Sequence, residues 1–234
     1  MRIEDLNWMD VEKYLEADDR LILVIGSCEQ HGYLSLLTDV KIPLALADAA
    51  SRQTGVLVAP PMNFGCSPYF LSFPGTFSLR LTTLLDVVED FFISASEQGF
   101  HNILVLNGHG GNEPVRARIY EILNNDSDLN IQWYTWFQSH SVSEIAKKYE
   151  LKPSHANWLE AFSFSQVADL PDFDKAPPFV PGLLSAEKTR TILGDGSFGG
   201  PYSVEDNIMN EIFSAALQDV ITLLQHNRGS ENIN

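Results

Sequence analysis

The sequence predicts an α/β protein with a parallel sheet and helices on both faces. Three observations carry this expectation. Short runs such as Leu21-Ile22-Leu23-Val24-Ile25 and Ile103-Leu104-Val105-Leu106 are continuously apolar, as in strands buried on both faces. Longer segments with apolar residues at helical spacing lie between them. The two kinds alternate along the chain, which is the order of βαβ units.

The elements follow in order. The first strand, 21–25, ends at Gly26. Helical spacing over 42–53 precedes a stop at Gly55. A second strand, 56–59, is cut by Pro60 and Pro61. A helix is predicted over 83–98, closed by Gly99, then a third strand over 103–106. Residues 113–123 read as a helix and 131–137 as a strand. The Pro-, Gly- and Asp-rich stretch 168–201 reads as a long loop excursion, a common place for function. A closing helix is predicted over 203–225 and a frayed tail over 227–234. No repeat or linker divides the chain, so 1–234 is expected to form a single domain.

Composition narrows the function. Of the 234 residues, 44% are hydrophobic and 20% charged, which suits a packed core. Lys and Arg total 15 against 31 Asp and Glu, a formal charge of -16. Such a surface repels polyanions, so neither nucleic acid nor an anionic membrane is an expected partner. Two cysteines, Cys28 and Cys66, are too few for a disulfide scaffold and fit a reducing cytoplasm. The acidic N-terminus is not expected to act as a signal peptide, and the apolar runs are shorter than a membrane span needs.

The chemistry sits beyond the strand ends, where open α/β sheets bind ligands. Gly26-Ser27-Cys28-Glu29-Gln30-His31-Gly32 follows the first strand, with Thr38-Asp39 after it. Asn107-Gly108-His109-Gly110-Gly111-Asn112 follows the third. In an extended segment residues i and i+2 point the same way, so Glu29 and His31 can face one ion. Asp39, at the expected start of the next helix, has two oxygens able to bridge a pair of ions. His109 arrives from another strand end. Carboxylate with imidazole suits Zn²⁺, Mn²⁺ or Fe²⁺, and the absence of thiolates argues against a structural zinc site. Each signal has a plainer reading. Glu29 fits a solvated carboxylate, Asp39 a helix N-cap, and the His109 turn a phosphate cradle. Cys28 and Cys66 fit small buried packing residues better than nucleophiles. Both constellations on strand ends of one sheet favour the metal.

At these residues the sequence resembles a known family. The first stretch is similar to G-S-x-E-Q-H-G-P-H-L-P-L-x-T-D and the second to N-G-H-G-G-N. Phe73-Pro74-Gly75-Thr76-Phe77-Ser78-Leu79 is similar to F-P-G-T-x-S-L, and His155-Ala156 with Glu160 to H-A-G-E-x-E-T-S. These are motifs of the creatininase (creatinine amidohydrolase) superfamily, in the right order from Gly26 to about Phe162. The resemblance implies a three-layer α/β/α sandwich around a mostly parallel sheet, often assembled as a hexamer. It implies one or two divalent metal ions per chain: Glu29 and His109 on one, His31 on the second, Asp39 bridging. It implies that His155 shuttles a proton and that Glu160 accompanies it.

Several positions depart from the pattern. Gly111 stands where creatininase proper has a glutamate, leaving Glu160 as the candidate replacement ligand or the site mononuclear. Tyr33-Leu34-Ser35-Leu36-Leu37 replaces P-H-L-P-L without its histidine. Phe70 replaces a histidine before F-P-G-T, Leu151-Lys152 an aromatic-acid pair, and Trp158 the first glutamate after H-A-G. These departures count against creatinine itself as the substrate.

The expected activity is hydrolysis of a C–N amide-type bond in a small-molecule amide by metal-activated water. The bond would lie in a cyclic amide, a formamide or a peptide amide. His155 and Glu160 are the catalytic candidates, and N–H groups of the 108–111 turn are candidate oxyanion donors. Both catalytic candidates reach one pocket only if His155 precedes the helix. Trp158, which fits a core position equally well, and the loop near Phe179 are candidate pocket walls. The rivals are a non-catalytic metal- or nucleotide-binding protein on the same scaffold and a phosphate-binding enzyme.

Overall fold

The computed structural model describes residues 1–126 and 128–226; the tail expected over 227–234 lies outside them. Four strands form one sheet: β1 (Arg20–Ile25), β2 (Leu57–Val58), β3 (Asn102–Asn107) and β4 (Asn130–Thr135). Their order is β2-β1-β3-β4, and every neighbouring pair is parallel. Leu21 pairs with Ile103 and Ile25 with Asn107 across the central pair.

Side chains of successive strand residues point to opposite faces. Ile22, Val24, Leu104 and Leu106 pack on one face with α2 (Thr38–Thr54), α5 (His140–Lys148) and α7 (Asp206–His226). Leu21, Leu23, Ile103 and Val105 pack on the other with α3 (Leu81–Glu97) and α4 (Val115–Asn125). The short α1 (Trp8–Leu15) lays Val11 and Leu15 against that second core. The result is the expected α/β/α sandwich. Both sets of strand residues are buried, which is why the strands read as continuous apolar runs.

Three elements differ from the sequence reading. α1 is set by a capping box, with the Asn7 side chain accepting from the Met9 and Asp10 backbone N–H groups and Asp10 accepting in return. α5 starts at an Ser139 cap that accepts from Val142 N–H at 3.1 Å. Both helices are short, so their apolar stripes are weak sequence signals. The stretch 168–201, expected as loop throughout, contains α6 (Ala186–Leu193), which buries Thr189 and Leu193 between Ser185 and Gly194. Among the described residues no helix is long and apolar enough to cross a membrane.

From β1 the chain moves to β2 on one side, and then returns to place β3 on the other. The crevice between the carboxyl ends of β1 and β3 is therefore a topological switch point, where α/β sheets bind ligands.

Candidate metal centre

The segment after β1 and the turn after β3 meet at this crevice, and the first turn of α2 closes on both. A Cβ on Gly26 would lie 2.5 Å from the Asp39 carbonyl oxygen, and one on Gly108 only 1.9 Å. Glycine at both strand ends lets α2 approach this closely. Pro43, inside α2, has no N–H to offer the Asp39 carbonyl four residues earlier. Asp39 is the second residue of the helix, after an N-cap at Leu37, and does not itself cap it.

The Asp39 carboxylate sits between two imidazoles. Its Oδ1 is 3.0 Å from His31 Nε2 and its Oδ2 is 3.0 Å from His109 Nδ1. Glu29 Oε1 lies 3.4 Å from His109 Nδ1, and Glu160 Oε1 lies 3.9 Å from His31 Nε2. Among the described residues three groups have metal-ligand spacing: Glu29–Asp39–His109 and His31–Asp39–Glu160, which share Asp39, and Glu29–His31–His155. Glu29, His31, Asp39 and His109 are each at most 3% exposed. Buried carboxylates need a cationic partner. Glu29 Oε2 is buried without a hydrogen bond and Asp39 Oδ2 has only the His109 contact, so acceptor capacity is left over inside the cluster.

The rings are held from behind. His31 Nδ1 lies 3.1 Å from the Glu29 carbonyl, and His109 Nε2 lies 3.0 Å from the Cys66 carbonyl and 3.2 Å from Ser67 Oγ. Each imidazole thus turns its other nitrogen to the carboxylates, as metal-ligating histidines do. Burial opposes protonation of His31, yet Asp39, Glu160 and Glu29 push its pKa up to about 10. His109 is raised likewise by Glu29 and Asp39 against burial. The field that draws protons to these rings favours a cation at the same place.

His155 and Glu160 complete the site. His155 precedes the 3-10 turn Trp158–Glu160, as the shared pocket requires. Ala156 takes a left-handed conformation (φ 52°), and its N–H donates to Glu160 Oε2 at 2.6 Å. That turn brings both side chains to one cavity. Burial raises the Glu160 pKa to about 7. Burial, together with His31, holds His155 well below the usual imidazole value. The His155 and His31 rings are 4.5 Å apart.

The cavity encloses about 360 Å³, with Glu29, Asp39, His109, His155 and Glu160 on its walls. All five expected ligands and His155 are therefore brought together. Other expectations are corrected. Trp158 is fully buried in the core, and its indole N–H donates to the Lys152 carbonyl at 3.1 Å, so it forms no wall. Phe179 is 84% exposed and away from the cavity. Tyr69, Phe137 and Phe198 line it instead. The Gly108 N–H is engaged by the Ile25 carbonyl at 2.9 Å, so it is not free as an oxyanion donor. Cys28 lies outside the cavity walls with its thiol against the Gly75 carbonyl, and burial raises its pKa; it packs rather than attacks.

A sequence model of the family described as "Creatininase: Creatinine amidohydrolase" matches residues 4–224. The chain belongs to the creatininase family. This creatininase-family chain is 36% identical over 110 residues to the mycofactocin precursor peptide peptidase of Mycolicibacterium smegmatis, covering 44% of each protein. It is 25% identical over 177 residues to the 3-dehydro-scyllo-inosose hydrolase of Thermotoga maritima, covering 73% of this chain and 56% of that one. The match spans about half the length of these curated relatives. A crystal structure of creatinine amidohydrolase superposes with a TM-score of 0.81 at 20% identity, covering 96% of both chains. A manganese form of creatininase gives 0.81 at 20% identity, over 96% of this chain and 97% of the other. A putative creatinine amidohydrolase from Bacteroides fragilis gives 0.77 at 22%, over 100% and 98%. These likenesses give the chain a creatininase-type amidohydrolase fold.

Proposed function

We propose that this creatininase-family chain is a metal-dependent hydrolase of C–N amide-type bonds, working in the cytoplasm as a homohexamer. The observation that carries the reading is the placing of Asp39: each of its oxygens faces a different histidine, and a further carboxylate flanks each side. Glu29, Asp39 and His109 would hold one divalent ion, and His31, Asp39 and Glu160 a second. Glu160 then stands in for the glutamate that Gly111 lacks. Imidazole with carboxylate suits Zn²⁺, Mn²⁺ or Fe²⁺.

Such an ion supplies Lewis acidity, polarising an amide carbonyl and acidifying water. The residues supply the rest. His155 is neutral in its buried setting, so it can take the proton of the attacking water. It then delivers that proton to the leaving nitrogen, which departs badly as an anion. Gln30 holds the imidazole in place: its Nε2 lies 2.9 Å from His155 Nε2 and donates to the Gly196 carbonyl at 3.0 Å. The small cavity suits a small-molecule amide or the end of a peptide, near the lower limit of about 300–1,000 Å³ for ligand pockets.

Metal content by elemental analysis tests the reading, on protein purified without chelators or a histidine tag. Two ions per chain are expected, falling to one in Glu160→Ala. One ion in both proteins would make the site mononuclear and return Glu160 to a catalytic or structural role. No ion, with none taken up from added Zn²⁺ or Mn²⁺, would remove the hydrolase reading in favour of a non-catalytic binding protein.

A further inference from the structure

Of the three groups with metal-ligand spacing, Glu29–His31–His155 is used by neither ion of the proposed pair. It shares Glu29 with one of the two positions and His31 with the other. His155 Nδ1 lies 3.9 Å from Glu29 Oε1, and the His155 and His31 rings are 4.5 Å apart. Glu29 Oε2 is buried without a hydrogen bond. The two imidazoles are backed alike. His31 Nδ1 lies 3.1 Å from the Glu29 carbonyl, and His155 Nε2 lies 3.1 Å from the Gln30 carbonyl. With the His155 proton on Nε2 and donated to that carbonyl, Nδ1 keeps its lone pair, as in metal-ligating histidines. Phe70 and Phe198 flank the ring, with centroids 4.7 Å and 5.1 Å away.

Access differs along this group. The His155 side chain is 15% exposed, and His155 and Glu29 both line the cavity. The His31 side chain is fully buried, and His31 is not among the lining residues. An ion in the cavity therefore meets Glu29 and His155 at the wall, with His31 within ligand spacing of both. Exchanging ligands around His31 keeps an ion coordinated at every stage, whereas a buried charge without partners is costly. We propose that Glu29, His31 and His155 form an exchange position, through which the second ion enters and leaves its seat between His31, Asp39 and Glu160. His31 keeps hold of the ion while Glu29 and His155 pass it to the two carboxylates. Two imidazoles here, against one in the final seat, favour Zn²⁺ over Mn²⁺ at the exchange position. The proposal rests on the metal-dependent reading above and adds a weaker, overlapping position to it.

Equilibrium dialysis against Zn²⁺ or Mn²⁺, and exchange of bound zinc against a zinc isotope, test it without a substrate. Glu160→Ala, with its one remaining ion, should take up a second from added Zn²⁺ but not from Mn²⁺. Adding His155→Ala to that variant should abolish the second Zn²⁺, which ions scattered over the acidic surface would survive. Glu160→Gln, whose amide oxygen still accepts from the Ala156 N–H, should show the same His155-dependent uptake, excluding a collapsed turn as the cause. In His155→Ala alone the zinc content should stay at two, with the second ion exchanging at least about tenfold more slowly than in the wild type. A second Zn²⁺ held equally by Glu160→Ala and the double variant would overturn the proposal and leave the two-ion reading standing. So would exchange at the wild-type rate in His155→Ala. A wild type that binds no second Zn²⁺ would remove the two-ion reading itself.

Discussion

The His155 side chain is only 15% exposed, between Phe70 and His31, and its Nδ1 lies 3.9 Å from Glu29 Oε1. That placing argues for a proton carrier more than for a structural ring. His155→Ala is expected to lower kcat about 10²- to 10⁴-fold while leaving the metal content unchanged. Unchanged turnover in the steady state would remove the shuttle role. At this scale the sequence was informative for Glu29, His31, Asp39 and His109, because ligand chemistry and strand-end position coincide there. His155 and Glu160 were readable only through resemblance. Their five-residue spacing is not a same-face helical spacing, and it is the left-handed turn at Ala156 that unites them. Ser67 and Phe198 carried no signal at all. Ser67 meets His109 through its hydroxyl, and the Phe198 N–H donates to the His155 carbonyl, and neither contact leaves a local pattern.

α2 begins with two buried polar residues, Thr38 and Asp39, so a search for apolar spacing finds its start late. The helix is fixed at that end by the absence of side chains on Gly26 and Gly108. Gly108→Ala would drive a methyl into the Asp39 carbonyl and Pro43, at a cost of about 1–3 kcal/mol or more. Chemical denaturation should show that loss, together with weaker metal uptake as Asp39 is displaced. The 168–201 excursion is stabilised differently, by charge. Burial raises the Asp195 pKa, but the Lys175 ammonium and the Tyr202 hydroxyl outweigh it and hold the carboxyl below its ordinary value of 3.8. A carboxyl with a depressed folded pKa stabilises above its unfolded value, and that contribution is lost as pH falls through the folded one. Asp195→Asn should therefore cost about 2 kcal/mol near neutral pH. The gap between the variant and the wild type should close as the pH drops below 3.8. A gap that persisted at lower pH would mean that the carboxylate charge is not what secures the loop.

Across the whole molecule, two cores on opposite faces of one sheet were readable because their residues alternate along buried strands. What covers the outside was not. Phe173, Phe179, Val180 and Leu183 are exposed apolar residues on the excursion, a pattern associated with contact surfaces. A hexamer would give a light-scattering mass near six times 26.1 kDa; a clean monomer at micromolar concentration would remove that assembly. The sheet order has one more consequence, for how the chain is made. β1 finds its main partner, β3, only when residue 107 has been synthesised, since β2 offers it just Leu57 and Val58. Until then six residues destined for the interior emerge from the ribosome with little to pair against. Parallel pairings across such separations are slow to close and leave the growing chain prone to aggregation. Chaperone binding during translation should therefore centre on residues 20–25 and end once the third strand has left the exit tunnel.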